Sequence, residues 1–173
     1  MTRDAVRALL LGRAPRDAKE DADRTAMLGF LDELARPFSR DQPGAHFTAS
    51  ALVVDGARER TALVQHRKLA IWVQPGGHVD EGYASLADAA LREVREELGL
   101  AGTLASPAVL HLDIHEIPDR PDMPRHLHLD VRFLVVAAGD LAASDESTDA
   151  RWVTLDEAVH LGDASVARLV ASL

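Results

Sequence analysis

The sequence GGHVDEG at residues 76–82, followed by REVREELGL at residues 92–100, joins a glycine turn to an acidic helical segment. In an α-helix, Glu93, Glu96 and Glu97 stand at positions i, i+3 and i+4, so their carboxylates project from one face. Like charges at these spacings repel one another and weaken an isolated helix unless something neutralises them. The pattern therefore predicts a cation site on this face.

The same segment carries the signals of a helix that packs on a core. Leu91, Val94 and Leu98 form an apolar stripe beside the carboxylates. Ser85 stands at the position of an N-cap residue, and Gly99 stands where a left-handed C-cap residue belongs. A solvated face of Glu–Arg pairs is the competing interpretation, but the glycine turn before the helix favours the cation site.

The available ligand atoms indicate which cation this face would bind. Magnesium prefers oxygen ligands and usually combines one or two carboxylates with the phosphate groups of a substrate. The chain contains no Cys, which excludes disulfides, thiolate zinc sites and cysteine nucleophiles. We therefore expect Mg²⁺, or Mn²⁺, together with the phosphate oxygens of a small molecule.

The region from Gly77 to Leu100 resembles the Nudix box, whose pattern is G-x5-E-x7-R-E-U-x-E-E-x-G-U, with U an aliphatic residue. The second half matches at every fixed position, namely Arg92, Glu93, Val94, Glu96, Glu97, Gly99 and Leu100. The first half departs, because Tyr83 stands where the family has Glu and eight residues, not seven, separate Tyr83 from Arg92. Counting back from Arg92 instead reaches Ala84, so neither register supplies the glutamate.

The missing glutamate bears on the loop that precedes the helix. In the family this residue chiefly braces the loop, often through the box arginine, while the later glutamates bind metal. Asp80, Glu81 and Asp88 are candidates for the brace in this chain. The departure concerns loop geometry and catalytic strength more than the fold.

The resemblance implies a hydrolase that cleaves the diphosphate linkage of a nucleoside diphosphate derivative or related nucleotide. Glu93, Glu96 and Glu97, helped by the backbone carbonyl of Gly76, would hold the metal. Either Glu93 or Glu146 would accept the proton of the attacking water, and we leave the choice open. Glu146 is a candidate because many relatives supply a glutamate from a loop at this place, although a solvated acidic loop is about as good an interpretation.

Two alternative functions come from other classes. A Nudix-fold ligand-binding or regulatory module without hydrolytic activity is consistent with the missing first glutamate, although the three later glutamates argue against it. An isomerase of isoprenyl diphosphates shares the fold, but the commoner type relies on a cysteine, which this chain lacks.

Composition limits the partners and the compartment. With 47% hydrophobic and 27% charged residues in 173, the chain is expected to form one globular domain and is long enough to carry an appendage. A formal net charge of −9 argues against a nucleic-acid polymer as partner, because such binding rests on Lys and Arg. No apolar run reaches membrane-spanning length and no signal-peptide pattern opens the chain, so we expect a cytoplasmic protein without membrane contact.

The order of predicted elements favours an α+β fold. Strands are predicted at 46–54, 61–66, 70–73, 108–117, 128–138 and 152–153, and helices at 155–160 and 164–172. The resemblance implies an α/β/α sandwich with a mixed sheet over residues 44–173. Residues 1–43 are predicted to form an N-terminal helical extension, split at Pro15, which could pack on the sheet, cap the substrate cleft or support a homodimer.

Two further groups of residues carry competing interpretations. His111, His115, His126 and His128 could bind a second metal or recognise a substrate, although a polar sheet face over an apolar one is the better supported interpretation. The basic residues 66–68 could contact substrate phosphates. A basic hairpin turn is the ordinary interpretation, and we favour it slightly.

Overall fold

The computed structural model describes residues 1–67, 70–79, 82–119 and 124–173. Within these residues the elements, in chain order, are α1 Arg3–Gly12, α2 Ala18–Glu33, β1 Ala45–Val54, β2 Arg60–His66, β3 Trp72–Val73, β4 Gly76–His78, α3 Leu86–Leu98, β5 Thr103–Leu104, β6 His111–Ile117, β7 His126–Val136, β8 Ser147–Thr154, α4 Leu155–Leu161 and α5 Ala164–Val170. In the described part of the chain, no helix is both long enough and apolar enough to cross a membrane.

A parallel pair of long strands, β1 and β7, forms the centre of the sheet. Ala45 lies opposite Leu127, and the pairing continues to Val54 opposite Val136. All other pairs are antiparallel: β1 pairs with β2 and β4, β7 with β5 and β6, and β2 with β3 and β8. The sheet is therefore mixed, as predicted.

Both faces of the central strands are covered, which confirms the α/β/α sandwich. Every residue of β1 is buried, and successive side chains point to opposite faces. Ala51 and Val53 pack in one core with Val94 and Leu98 of α3. On the opposite face, Leu52 and Val54 pack with Leu169 of α5 and with partly buried residues of β7.

The two N-terminal helices pack on the α3 side of the sheet. Val6 and Leu10 of α1, and Met27 and Leu31 of α2, share a core with Phe47 of β1. Polar contacts accompany this packing: the Leu112 amide of β6 donates to Glu20 Oε1 at 3.1 Å, and the Met1 ammonium group donates to the Tyr83 carbonyl at 3.1 Å. The extension therefore packs on the sheet and also reaches the segment before α3.

Helix α3 begins and ends at the predicted caps. The Ser85 hydroxyl accepts a hydrogen bond from the Asp88 amide at 3.1 Å, and Gly99 has a φ of 70°. That left-handed conformation costs a glycine little because it has no Cβ. Local sequence signals were therefore sufficient to predict where this helix begins and ends.

Several strands differ from the prediction. Residues 76–78, predicted as a turn, form β4 and pair with β1, with His78 opposite Thr48. Strand β8 covers eight residues where only 152–153 were predicted, because pairing with β2 stabilises it while most of its side chains stay partly or fully exposed. Strand β7 begins at His126, two residues earlier than predicted, and β5 was not predicted.

Candidate active site

Strand β4 passes directly over the carboxylates of α3. The Gly76 amide donates a hydrogen bond of 2.9 Å to Glu97 Oε2. A Cβ added at Gly77 would lie 2.9 Å from Glu93 Oε2, and one added at Gly76 would overlap Ser50 of β1. The two glycines therefore allow the backbone to approach both neighbours more closely than any side chain would permit.

Glu93 is the residue with the smallest exposed fraction among the three helix glutamates. Glu93 is 8% exposed as a residue. Its Oε1 atom accepts a hydrogen bond of 2.8 Å from Arg92 Nη2. Burial raises the pKa of Glu93 above its ordinary value, the charge of Arg92 opposes this rise, and the charges of Glu96 and Glu146 add to it. Arg92 thus orients a carboxylate that is poorly solvated.

Glu97 has the most strongly perturbed acid group of the site. Burial raises the pKa of Glu97 to about 8, and the neighbouring charges of Glu93, Glu146 and Glu96 add to this rise. The hydrogen bond from the Gly76 amide opposes it. A carboxyl that resists ionisation at neutral pH, surrounded by other carboxylates, needs a positive partner to become charged. Perturbed acids in such a setting are typical of functional sites.

Glu146 lies on the loop that leads into β8, and Arg67 holds this loop in place. The Arg67 side chain donates to the carbonyls of Asp145 at 2.8 Å and Ser147 at 2.9 Å, and its amide donates to the Glu146 carbonyl at 3.0 Å. The Glu146 side chain is exposed, and its charge acts on both Glu93 and Glu97. The structure therefore places all four predicted carboxylates close enough for their charges to interact.

The basic segment at residues 66–68 contacts this loop through the hydrogen bonds of Arg67. That role agrees with the favoured interpretation of a basic turn. Lys68, the other cation considered for phosphate contact, lies outside the described residues.

The place of the missing box glutamate is taken by an aromatic ring. The Arg92 guanidinium carbon lies 4.7 Å from the centroid of the Tyr83 ring, and Arg92 Nε lies 3.5 Å from Glu96 Oε2. Of the candidate braces, Asp88 bonds to the Ser85 hydroxyl at 2.9 Å. Asp80 and Glu81 lie outside the described residues.

The structure divides the predicted histidine group. His126, His128 and His115 are neighbours on one sheet face, where His46 and His78 join them. His111 lies further along the face, opposite Arg132, and lines a separate cavity of about 190 Å³. His46 and His78 were not predicted to join the group, since only the pairing of β1 with β7 and β4 brings them to it.

Comparison with known proteins agrees with this architecture. The family model described as NUDIX domain matches residues 44–173. No protein of curated function matches the chain significantly in sequence.

Solved structures show the same fold at low sequence identity. A NUDIX-family hydrolase from Clostridium perfringens has a TM-score of 0.56 at 22% identity, covering 73% of this chain and 95% of its own. A Caenorhabditis elegans Ap4A hydrolase in a binary complex has a TM-score of 0.56 at 20% identity, covering 73% and 93%. A MutT NUDIX hydrolase from Burkholderia pseudomallei has a TM-score of 0.56 at 20% identity, covering 75% and 98%. With a family model that matches three quarters of its length, the chain belongs to the NUDIX domain family.

Proposed function

We propose that the protein is a Nudix-type pyrophosphohydrolase that depends on Mg²⁺ or Mn²⁺ and cleaves the diphosphate linkage of a nucleoside diphosphate derivative or related nucleotide. One observation carries the proposal. The charges of Glu93, Glu96, Glu97 and Glu146 converge beside the glycines of β4, and Glu97 is left with a pKa of about 8. A site that crowds carboxylates in this way is suited to a cation and to the phosphate oxygens that the cation attracts.

The donor set fits a hard divalent cation. Glu93, Glu96, Glu97 and Glu146 offer carboxylate oxygens, which Mg²⁺ and Mn²⁺ prefer. Glu93, Glu96 and Glu97 would hold the metal, with the Gly76 carbonyl as a further candidate ligand. When bound, the metal would neutralise phosphate charge and lower the pKa of a coordinated water.

The protein's own residues would position the reaction. Arg92 orients Glu93 through a hydrogen bond of 2.8 Å, and the Gly76 amide orients Glu97 at 2.9 Å. The proton of the attacking water would pass to Glu93 or to Glu146. Glu93 has a raised pKa, which brings a carboxylate closer to the operating pH of a general base, while Glu146 is exposed on an anchored loop.

A binding module without hydrolytic activity remains the second candidate, and Tyr83 in place of the first box glutamate favours it. The cation–π contact between Tyr83 and Arg92 weakens this alternative, because it supplies another support for the box arginine. Turnover separates the two functions. A panel of nucleotides and nucleoside diphosphate derivatives, assayed with Mg²⁺, Mn²⁺ or EDTA, should show metal-dependent hydrolysis of at least one compound. Binding without turnover on every compound would favour the module.

We also propose that the substrate is a small molecule and that the protein is cytoplasmic. We further propose that residues 1–43 are an extension of a Nudix domain at residues 44–173. The net charge of −9 supports the absence of a nucleic-acid polymer or an anionic membrane surface among the partners. We include a second copy of this chain among the proposed partners, as a homodimer that light scattering coupled to size-exclusion chromatography tests.

A further inference from the structure

Four histidine rings meet on the sheet face opposite α3. His46 of β1 lies opposite His128 of β7 in the parallel register, and His78 of β4 reaches the same place beside them. The centroid of the His46 ring lies 5.0 Å from that of His78, 5.0 Å from that of His128 and 4.9 Å from that of His126. Strand pairing alone therefore gathers imidazoles from three different strands.

The ring nitrogens are close enough to share one ion. His46, His78 and His128 each offer one nitrogen, and these three atoms lie within 4.8 Å of one another. In a tetrahedral zinc site with Zn–N bonds of about 2.0–2.1 Å, two ligand nitrogens stand about 3.3 Å apart. For all three to bind one ion, the nitrogens would have to come up to about 1.5 Å closer together.

The His46 and His128 rings contain buried nitrogens, which proteins usually pair with a hydrogen-bond partner or a metal ion. His46 is 1% exposed. The Gln42 backbone lies close enough to act on its ring, but within the described residues neither ring nitrogen makes a hydrogen bond of good geometry, and the same holds for His128 Nε2. Buried polar atoms in proteins are nearly always paired. A bound metal would pair these atoms directly.

On the adjoining half of the same sheet face, the polar side chains around Asp130 are hydrogen-bonded to one another. Asp130 accepts hydrogen bonds from Thr48 at 3.2 Å, Ser50 at 2.8 Å and Arg132 at 2.7 Å. Arg132 also donates to Asp113 at 2.9 Å. Asp113, Asp130 and Arg132 therefore satisfy one another, although His111 Nδ1, opposite Arg132, has no hydrogen-bond partner among the residues that the structure describes.

Burial also favours the uncharged form of two of the rings, which is the form that binds metals. Burial lowers the pKa of His46 to about 4 and that of His128 to about 2, and neighbouring histidines add to both shifts. At neutral pH both rings are therefore uncharged, with a lone pair available as ligand. His126 lines the group, and its Nδ1 lies 2.9 Å from the Pro124 carbonyl, which favours Nε2 as the free lone pair.

We propose that His46, His78 and His128 form a transition-metal site for an ion such as Zn²⁺, separate from the carboxylate site of α3. Imidazole ligands suit Zn²⁺, Co²⁺, Ni²⁺ and Cu²⁺, whereas Mg²⁺ prefers oxygen. Three protein ligands leave a fourth position for water, an anion or His126. The ion would link β1, β4 and β7, and β4 carries the glycines that contact Glu93 and Glu97.

Cobalt titration of the whole protein tests the site. Protein stripped with EDTA and dialysed would be titrated with Co²⁺ in millimolar Mg²⁺, so that Mg²⁺ occupies the carboxylates. We expect one Co²⁺ per chain, with the intense visible bands of a four-coordinate ion, displaced by one equivalent of Zn²⁺. His46→Gln and His128→Gln should each weaken Co²⁺ binding roughly 100-fold or more, whereas exposed His160→Gln should leave it unchanged.

Two controls make the outcome decisive. Glu97→Gln should lose hydrolysis but keep Co²⁺ binding, so failure of the proposed enzyme and failure of this site are distinguishable. Copper bound to the wild-type protein should show nitrogen couplings from imidazoles in electron paramagnetic resonance, a result that needs no folded variant. Absence of Co²⁺ binding and of imidazole coupling in the wild-type protein would overturn the proposal, as would Co²⁺ binding that survives both histidine substitutions.

Discussion

The guanidinium carbon of Arg92 lies 4.7 Å from the centroid of the Tyr83 ring, at the position where the Nudix box has its first glutamate. A cation over an aromatic face is stabilised by about 0.5–2 kcal/mol, depending on desolvation. The same arginine donates to Glu93 at 2.8 Å. An aromatic face thus contacts the arginine that orients a proposed metal ligand.

This contact predicts a graded effect of substitutions at Tyr83. Tyr83→Ala should lower kcat about tenfold, which corresponds to ~1.4 kcal/mol, because Arg92 loses the surface against which it orients Glu93. Tyr83→Phe keeps the ring and should retain most activity. Steady-state kinetics on the best substrate measures both variants. Equal activity in Tyr83→Ala and the wild type would show that the ring does not support the arginine.

The close approach of β4 to α3 predicts that Gly77→Ala separates activity from folding. The added Cβ would stand 2.9 Å from Glu93 Oε2, which lies at the end of a flexible side chain and can move away. We therefore expect a folded protein with greatly reduced turnover. Gly29→Ala is the matched control, since its Cβ would have no atom within 4 Å. Wild-type turnover in Gly77→Ala would mean that Glu93 need not stay in place.

The raised pKa of Glu97 predicts how the metal-free protein responds to pH. Its pKa is about 8 in the folded protein and near 4.5 when unfolded, so the folded state binds more protons between these values. The free energy of unfolding contributed by this group therefore falls as pH rises from about 4.5 to about 8. Melting temperatures in EDTA from pH 5 to 8.5 should decline more steeply for the wild type than for Glu97→Gln.

A divalent cation should reverse this trend, because it neutralises the ionised carboxylates. Adding Mg²⁺ should raise the melting temperature of the wild type most at the alkaline end of the range. Identical pH slopes for the wild type and Glu97→Gln in EDTA would contradict the assignment of the perturbed carboxyl.

The general base can be identified by comparing Glu93→Gln with Glu146→Gln. Loss of a positioned base lowers kcat by about 10²–10⁴-fold and removes the acidic limb of the pH–rate profile. Loss of a residue that only binds metal should be partly compensated by higher metal concentration. Full profiles at saturating Mg²⁺ for both variants distinguish these cases. If the acidic limb persists in both, neither glutamate is the base.

Local sequence signals predicted some parts of the molecule well and others poorly. The caps Ser85 and Gly99 and the acidic face of α3 follow from spacing within one helix, so they were predictable. The cluster of His46, His78 and His128 was not, because residues up to 82 positions apart meet only through the pairing of β1 with β7 and β4. Tyr83 was recognised as a departure, but its contact with Arg92 depends on side-chain geometry that no pattern describes.

Hydrolysis by Glu97→Gln tests the central claim most directly. The wild type, Glu97→Gln and the exposed control Glu33→Gln would be assayed on the substrate panel with Mg²⁺, Mn²⁺ or EDTA, and circular dichroism would confirm their folding. We predict metal-dependent turnover in the wild type and the control, and a loss of about 100-fold or more in Glu97→Gln. Unchanged turnover in folded Glu97→Gln would contradict the assignment of this carboxylate site as the active site.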